Sequence, residues 1–582
     1  MMEKNNHVFI RILKYIRSLW GVLAIVVMFS LLGSFFNVIL PNFTKGVVEE
    51  TQKGIAGTFD AQAAGRFILL AIGTLFLSFM CTMIQSQIAP TLSQRTAQKM
   101  RREVNAKANR IPLNYFDTTP EGETLSTMTN DIDILSSAFS GTLPTLITSA
   151  ATLIGCLIMM FVANAVLAVI TIVTTIIGLA VSARVIAGGA PYFKKNQDLI
   201  ARINAQVNED IKGHLIIKSF NAEKEVIDAF DETNRNLFEQ TWKTQLVSSM
   251  TMPLGLLTNN LSYISVCVAG AVLVMTGHTG IGTVVAFIQY AQIFASPISQ
   301  TIQSAGTIQP ALAAGDRIFR MLDQDEMEDH GTAVVPADSV RGEVDFDHVK
   351  FGYDPAHIIV HDFSCHVEPG QKVAIVGPTG AGKSTLINLL TRFYEVNSGD
   401  IRIDGTSIYD MSRETLHNMI SMVLQETWTF GGSIRDNIVY SKQNVTDARL
   451  QEVVDSCGLR DFINMSSDGL DTILDEEAGI SAGQKQLITI ARAMIDDAPI
   501  LILDEATSSV DTRTEKLISD AVDRLMEGRT GFVIAHRLST IRNADLILVL
   551  KDGDIIETGT HDELMAKGGF YADLYMSQFD NQ

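Results

Sequence analysis

Six apolar runs dominate the first half of the chain: Leu19–Leu40, Phe67–Ile88, Leu143–Val162, Ala165–Ile186, Leu254–Met275 and Ile281–Ile298. Each approaches or exceeds the roughly 20 residues that a helix needs to cross the hydrocarbon core of a bilayer. Charge is almost absent from them, with Arg184 near the end of the fourth. Helices in a soluble core rarely stay this apolar for this long, so the pattern predicts six membrane spans. Ahead of the first run, His7–Ser18 mixes Phe9, Ile10, Ile12, Leu13 and Ile16 with Arg11, Lys14 and Arg17. That predicts a basic amphipathic helix on the inner membrane face. The first run is too long for a signal peptide and lacks a small-residue cleavage site. Neither a cleaved leader nor an N-terminal peptidase domain is expected.

The polar stretches set the orientation. A long segment between the second and third runs carries Arg95, Lys99, Arg101, Arg102, Lys107 and Arg110; another, between the fourth and fifth, carries Lys194, Lys195, Arg202, Lys212, Lys218 and Lys224. The third–fourth connection, Ala163-Asn164, and the fifth–sixth, near Gly277–Gly280, are tiny and uncharged. Positive charge stays inside, so both long segments and both termini are expected to be cytoplasmic. The segments are too long for turns and read as continued helices, with breaker-punctuated tips at Asn114–Glu123 and Glu209–Gly213, the second continuing into Ile217–Glu223. No Asp or Glu lies in a span, so an intramembrane carboxylate relay has no carrier. Methionines such as Met28, Met80, Met83, Met159 and Met160 fit packing or lipid contact better than a ligand pocket, by about two to one.

After Ile298 the helical pattern continues through Ile318, Phe319 and Leu322, then turns polar. The expected division is a membrane domain over 1–322, a linker over 323–340 and a second domain over 341–582. From Gly342 onward strand-like runs alternate with helical ones, the pattern of an α/β domain. Within it, Gly377-Pro378-Thr379-Gly380-Ala381-Gly382-Lys383-Ser384-Thr385 reads G-x-x-x-x-G-K-[ST] between an apolar strand, Lys372–Val376, and a helix start. In that context the loop cradles phosphates: backbone N–H groups face the anion, Lys383 supplies a point charge, and the Ser384 hydroxyl suits Mg²⁺. A chance Gly-rich turn is a distant second reading. A later strand, Ile500–Leu503, ends in Asp504-Glu505. There Asp504 is placed to hold Mg²⁺ through water, and Glu505 to orient or deprotonate an attacking water.

Composition narrows the picture. Hydrophobic residues make up 47% of the 582 positions, the formal net charge is -20, and mean hydropathy is high for a purely soluble chain and low for a purely membrane one. The acidic balance argues against a nucleic-acid partner. Cys81, Cys156, Cys267, Cys365 and Cys457 are scattered. They indicate neither a disulfide framework nor a zinc site, and free, mostly buried thiols are expected.

Ile480-Ser481-Ala482-Gly483-Gln484 opens a helix and resembles the L-S-G-G-Q signature of ATP-binding cassette (ABC) transporters. Other parts of that family's pattern follow in order. Tyr353 matches the aromatic that stacks on adenine, and Gln425 the glutamine that reaches Mg²⁺ and faces the membrane domain. Ser508–Asp511 matches the D-loop, and His536 the switch histidine at the γ-phosphate. Phe116–Gly122 and Gly213–Glu223 resemble the two intracellular loops of six-span type IV exporters. The resemblance implies a half-transporter: an α-helical six-span transmembrane domain followed by an α/β P-loop nucleotide-binding domain, using ATP and Mg²⁺. It implies that Glu505, His536 and Lys383 are catalytic, and that Ser384, Gln425 and Asp504 serve the metal. The nucleotide would be bound by Tyr353, Gly377–Thr385, Gln425, Asp504 and Asp511, and Ser481, Ala482, Gly483 and Gln484 would complete a site on a second chain. The first tip would dock on its own nucleotide-binding domain and the second on the partner's.

Two features depart from the pattern. Ile480 and Ala482 replace Leu and Gly, and the stretch Asp475–Gly479 is one residue short of the usual spacing. If position 482 needs a positive φ, alanine costs on the order of 1 kcal/mol there. An altered signature beside an intact Glu505 and His536 predicts a heterodimer over a homodimer, by about two to one. The resemblance further implies export of an amphipathic or hydrophobic small molecule across a bacterial inner membrane. Siderophore uptake by the same fold, or a membrane ATPase that senses through a partner, remain alternatives.

Overall fold

Four of the six apolar runs lie in helices of 36 to 48 residues, much longer than a bilayer is thick. The computed structural model describes residues 2–579 apart from 56–57, 337–338, 355, 426, 475–479, 505–510 and 535–540. Its contacts divide it into two units: Met1–Asn109 with Glu121–Gln324, and Arg110–Pro120 with Asp325–Gln582.

The first unit is all helix. α1 (Met2–Tyr15) precedes α2 (Trp20–Ile55) and α3 (Ala61–Ala108); α4 (Leu113–Thr118) lies in the other unit. α5 (Glu121–Met128), α6 (Asn130–Ser137) and α7 (Leu143–Ala163) return the chain through the membrane. α8 (Ala165–Lys212), α9 (His214–Ser219), α10 (Glu223–Ser249), α11 (Thr251–Met275) and α12 (Ile281–Leu322) complete it. Among the described residues, 6 helical stretches are long and apolar enough to span a membrane. α3 and α8 have 48 residues each. At 1.5 Å per residue each is about 72 Å long, so the expected cytoplasmic arms are continuous with the spans. α2 runs on past Pro41, where the hydropathy pattern ends the first span. The polar extension carries its own helix support, Lys45 with Glu49 at 3.7 Å and Lys53 with Glu50 at 2.6 Å.

Small residues set the close approaches. α8 lies antiparallel to α10 and α11: a Cβ on Gly178 would meet Thr258 at 2.2 Å, and one on Gly189 would meet Val247 at 2.4 Å. In the same seam Gln240 Nε2 and Thr244 Oγ1 donate to the Tyr192 carbonyl at 3.0 and 3.2 Å. On the first arm, Arg317 of α12 forks onto Asp131 of α6 at 2.6 and 2.7 Å, and Asp131 is only 1% exposed. α1 buries Val8 and Ile12 against Gly315 of α12, and its Arg11 pairs with Asp323 and lies 4.3 Å over the Phe319 ring.

The second unit contains three sheets among its described residues. β1 (Val344–Phe351), β2 (Val360–Val367), β4 (Ser398–Ile403) and β5 (Thr406–Ser407) form an antiparallel sheet in the order β2-β1-β4-β5. β3 (Lys372–Val376), β6 (Ile420–Val423), β9 (Ile500–Asp504), β10 (Thr530–Ile534), β11 (Leu546–Lys551) and β12 (Asp554–Gly559) form the larger one, ordered β12-β11-β3-β10-β9-β6. It is parallel apart from β12. β7 (Gly432–Ser433) and β8 (Ile473–Leu474) pair separately. The larger sheet is buried on both faces. Ala374, Val376, Leu501, Leu503 and Val533 enter one core, and Val373, Ile375, Ile500, Ile502 and Phe532 the other. This is why its strands read as unbroken apolar runs and not as alternating ones. All five cysteines are free.

Candidate nucleotide site

The parallel strands deliver the candidate residues to one edge. β3 ends at Val376, immediately before the phosphate loop, which opens α13 (Lys383–Leu390). β10 lies between β3 and β9, with Ile534 level with both Ile375 and Asp504. β6 pairs with β9 through Val423 and Leu503, so Gln425 follows at the same carboxyl end. Ligands of open α/β sheets bind at this end of the strands. Glu505, His536 and Ser508–Val510 lie outside the described residues, although Glu505 directly follows Asp504 in sequence.

The loop has the backbone of an anion cradle. Gly380 and Gly382 have φ of 85° and 93°, in the left-handed region that favours glycine. A Cβ on Gly377 would come within 2.4 Å of the Leu550 carbonyl oxygen. Lys383 Nζ donates to the carbonyls of Gly377 and Pro378 at 2.7 and 3.0 Å. The lysine is thus folded over its own loop, at the place where a phosphate would exchange with those carbonyls. Burial holds its pKa below the usual lysine value, with Asp504 opposing that shift. The pull from Asp504 places the two groups in one electrostatic neighbourhood. Pro378, Thr379 and Ala381 complete the loop, and Ala381 is buried. Ser384 and Thr385 follow Lys383 in the first turn of α13. The donor set fits its expected ligands: backbone amides and Lys383 suit phosphate, and the oxygens of Ser384, Gln425 and Asp504 suit a hard divalent cation.

Tyr353 is 42% exposed, so its ring offers surface to a base. Its hydroxyl lies 3.3 Å from Thr385 Oγ1. Tyr353 is edge-on to Tyr394, with ring centroids 4.9 Å apart, and Tyr394 is a residue that motif reading passes over.

The signature helix, Ala482–Asp496, begins with a reciprocal cap. Ser481 Oγ accepts the Gln484 amide at 3.2 Å, and Gln484 Oε1 accepts the Ser481 amide at 3.0 Å. S-x-x-Q spacing carries this capping box, which was legible in the sequence and is the missed signal. Gly483 is buried, while Ala482 is exposed and is the first residue of the helix. Ala482 is absent from the residues of positive φ, so the conditional strain at this position does not arise. Asp511 caps the helix Thr512–Leu525, accepting the amides of Arg513 and Thr514 at 3.1 Å each. A hydrogen bond from the Thr514 side chain, then the backbone amides, holds its carboxyl below the usual range.

These elements define a P-loop ATPase unit joined to a membrane unit. Residues 23–298 match the family model "ABC transporter transmembrane region", and residues 360–508 match "ABC transporter". The chain is 41% identical over 488 residues to the fatty acid ABC transporter ATP-binding/permease protein of Mycobacterium bovis, covering 84% of this chain and 77% of that relative. It is 35% identical to the probable multidrug resistance ABC transporter ATP-binding/permease protein YheH of Bacillus subtilis, covering 84% and 72%. The ATP-dependent lipid A-core flippase of Alkalilimnicola ehrlichii aligns at 33% identity over 99% of this chain and 97% of its own length. The chain belongs to the ABC transporter family, as a half-transporter of the type IV exporter fold. It binds ATP, couples ATP hydrolysis to transport, and is a multi-pass protein of the bacterial inner membrane.

Proposed function

We propose that this chain is one half of a dimeric exporter that moves amphipathic or hydrophobic small molecules, lipids or drug-like compounds, by alternating access. The observation that carries the reading is the convergence of Gly377–Thr385, Gln425 and Asp504 on one sheet edge in a chain that also holds 6 spanning helices. The substrate class is drawn from relatives named for a fatty acid, lipid A-core and multidrug resistance.

In this reading Tyr353 stacks on adenine, and the amides of Gly377–Thr385 and Lys383 hold the phosphates. Ser384, Gln425 and Asp504 hold Mg²⁺, which when bound neutralises charge on the phosphate oxygens. Glu505 orients the attacking water and His536 steadies the terminal phosphate. Ser481–Gln484 complete the site of an opposing chain, using a helix start already capped by Ser481 and Gln484. Glu505→Gln is expected to keep ATP binding and lower turnover on the order of 10²-fold or more. Nucleotide binding and phosphate release by the same preparation check this. Turnover near the parent value would move the base elsewhere. ATP-driven uptake of a fluorescent lipid analogue into inverted vesicles tests direction; ATP-driven loss of analogue preloaded into the lumen of the same inverted vesicles would mark an importer.

The altered signature supports pairing with a different chain, because the Ala482 methyl stands where a partner's phosphate would approach. One observation favours a self-dimer: Ala482 sits in ordinary helical backbone. ATP turnover by the chain reconstituted alone separates the two. Robust cooperative hydrolysis would overturn the heterodimer.

A further inference from the structure

One short path within the second unit runs from the base platform to the first intracellular tip. Tyr353 and Tyr394 meet edge-to-face at 88°, and both rings touch Phe351, at centroid distances of 5.0 and 5.8 Å. At one end the Tyr353 hydroxyl reaches Thr385, the last residue of the phosphate loop. At the other end the Tyr394 hydroxyl donates to the Asp117 carboxylate of α4. Burial, then that bond, pushes the Tyr394 phenol well above its usual range, so it remains a donor throughout the physiological range. Two residues before it lies Arg392, which is 4% exposed with φ of 54°. Arg392 donates to the carbonyls of Ile408 and Met411 at 3.3 and 3.1 Å and pairs with Glu395 at 3.0 Å. Tyr394 therefore follows an anchored residue and has two contacts, its ring against Tyr353 and its hydroxyl on Asp117.

We propose that Tyr394 is a positioning residue that reports the base of the bound nucleotide to α4. The proposal rests on Tyr353 being the adenine platform. A base seated on the open face of Tyr353 removes rotational freedom from that ring. The restrained ring presents a constant surface to Tyr394, whose hydroxyl then holds Asp117 in one place. A ligand with phosphates and no base fills Gly377–Thr385 and leaves the open face of Tyr353 uncovered. The tip would then distinguish a nucleotide from a bare polyphosphate, although it touches neither.

The test is hydrogen exchange on the full chain in lipid nanodiscs, with ATP or inorganic triphosphate as the probe. In the parent, ATP should slow exchange over 113–118 by about threefold or more, and triphosphate should not, while both slow exchange over 377–385. Tyr394→Phe keeps the ring and loses the donor. It should retain the ATP effect over 351–354 and 377–385 and lose it over 113–118. Asp117→Asn still accepts through its amide carbonyl and should retain the effect. Equal protection of 113–118 by triphosphate, or persistence of the ATP effect there in Tyr394→Phe, overturns the relay. Failure of ATP to slow exchange over 351–354 in the parent overturns the platform, and the proposal with it.

Discussion

The two intracellular tips are built alike and finished differently. Each is a helix of 6 residues placed after a helix of 48. The first, α4, belongs by its contacts to the nucleotide-binding unit: Asp117 is held by Tyr394, and the Arg110 carbonyl accepts the Met327 amide at 2.8 Å. The second, α9, leaves Leu215 and Ile216 80% and 64% exposed, with Phe220 beside it at 78%. The first tip is thus tied to its own chain by Asp117 and half-buries Tyr115 and Phe116, although none of its residues is fully buried, while the second presents an exposed apolar surface. Water would not favour keeping three large apolar side chains on a short helix and the residue that ends it unless something covers them. In the dimer proposed above, an opposing chain would supply that cover.

The largest effect should come from charging the open tip. Leu215→Asp with Phe220→Asp is expected to lower ATP turnover on the order of 10²-fold by weakening assembly, which light scattering of the purified complex would register as monomers. Unchanged turnover and mass would mean that the second tip needs no cover, and the contrast with the first would fail. The supports of the two arms offer a smaller test. The first is pinned by buried Asp131 paired with half-exposed Arg317, the second by the neutral bonds of Gln240 and Thr244. Arg317→Ala strands a buried carboxylate and should cost about 3 kcal/mol. Gln240→Leu should cost about 1 kcal/mol. Thermal midpoints in one detergent would rank them, and a reversed order would refute this account of the arms.

The smallest effect concerns α1 at the foot of α12. Hydrogen bonding to Arg11, then its charge, holds Asp323 below the usual carboxylate range. A depressed carboxyl stabilises the folded form above its unfolded pKa, and that support is lost as pH falls through the depressed value. The clamp should therefore persist to pH about 4 and loosen only below it. Trp20 fluorescence, with Trp242 and Trp428 replaced by Phe, would follow the transition, and Asp323→Asn should remove its pH dependence.

The membrane spans and the phosphate loop were legible because each is a local pattern, one of hydropathy and one of glycine spacing. Polar segments hid more. Lys45, Glu49, Glu50 and Lys53 look like the end of a span, yet their mutual pairs carry α2 onward to Ile55. Position 482 invited a worry about backbone strain, because glycine in the family pattern says nothing by itself about φ. The capping box around Ser481 is readable once the helix start is placed. Tyr394 and Asp117 are a different case: no periodicity joins residues this far apart in sequence, and only folding makes them neighbours. Residues that act on their own sequence neighbours can be read from a chain. Residues that act across a fold cannot.

The long helices also carry prolines in their interiors: Pro41 in α2, Pro90 in α3, Pro191 in α8, and Pro297 and Pro310 in α12. Each removes one backbone donor and crowds the carbonyl four residues back, so each marks a compliant joint in an otherwise stiff rod. About 27 Å of α3 lies beyond Pro90, and a bend of roughly 10° there would carry its cytoplasmic end about 5 Å sideways. That is comparable with one helical turn. A helix with such a joint can lend its far end that much travel without disturbing the packing of the half that faces lipid.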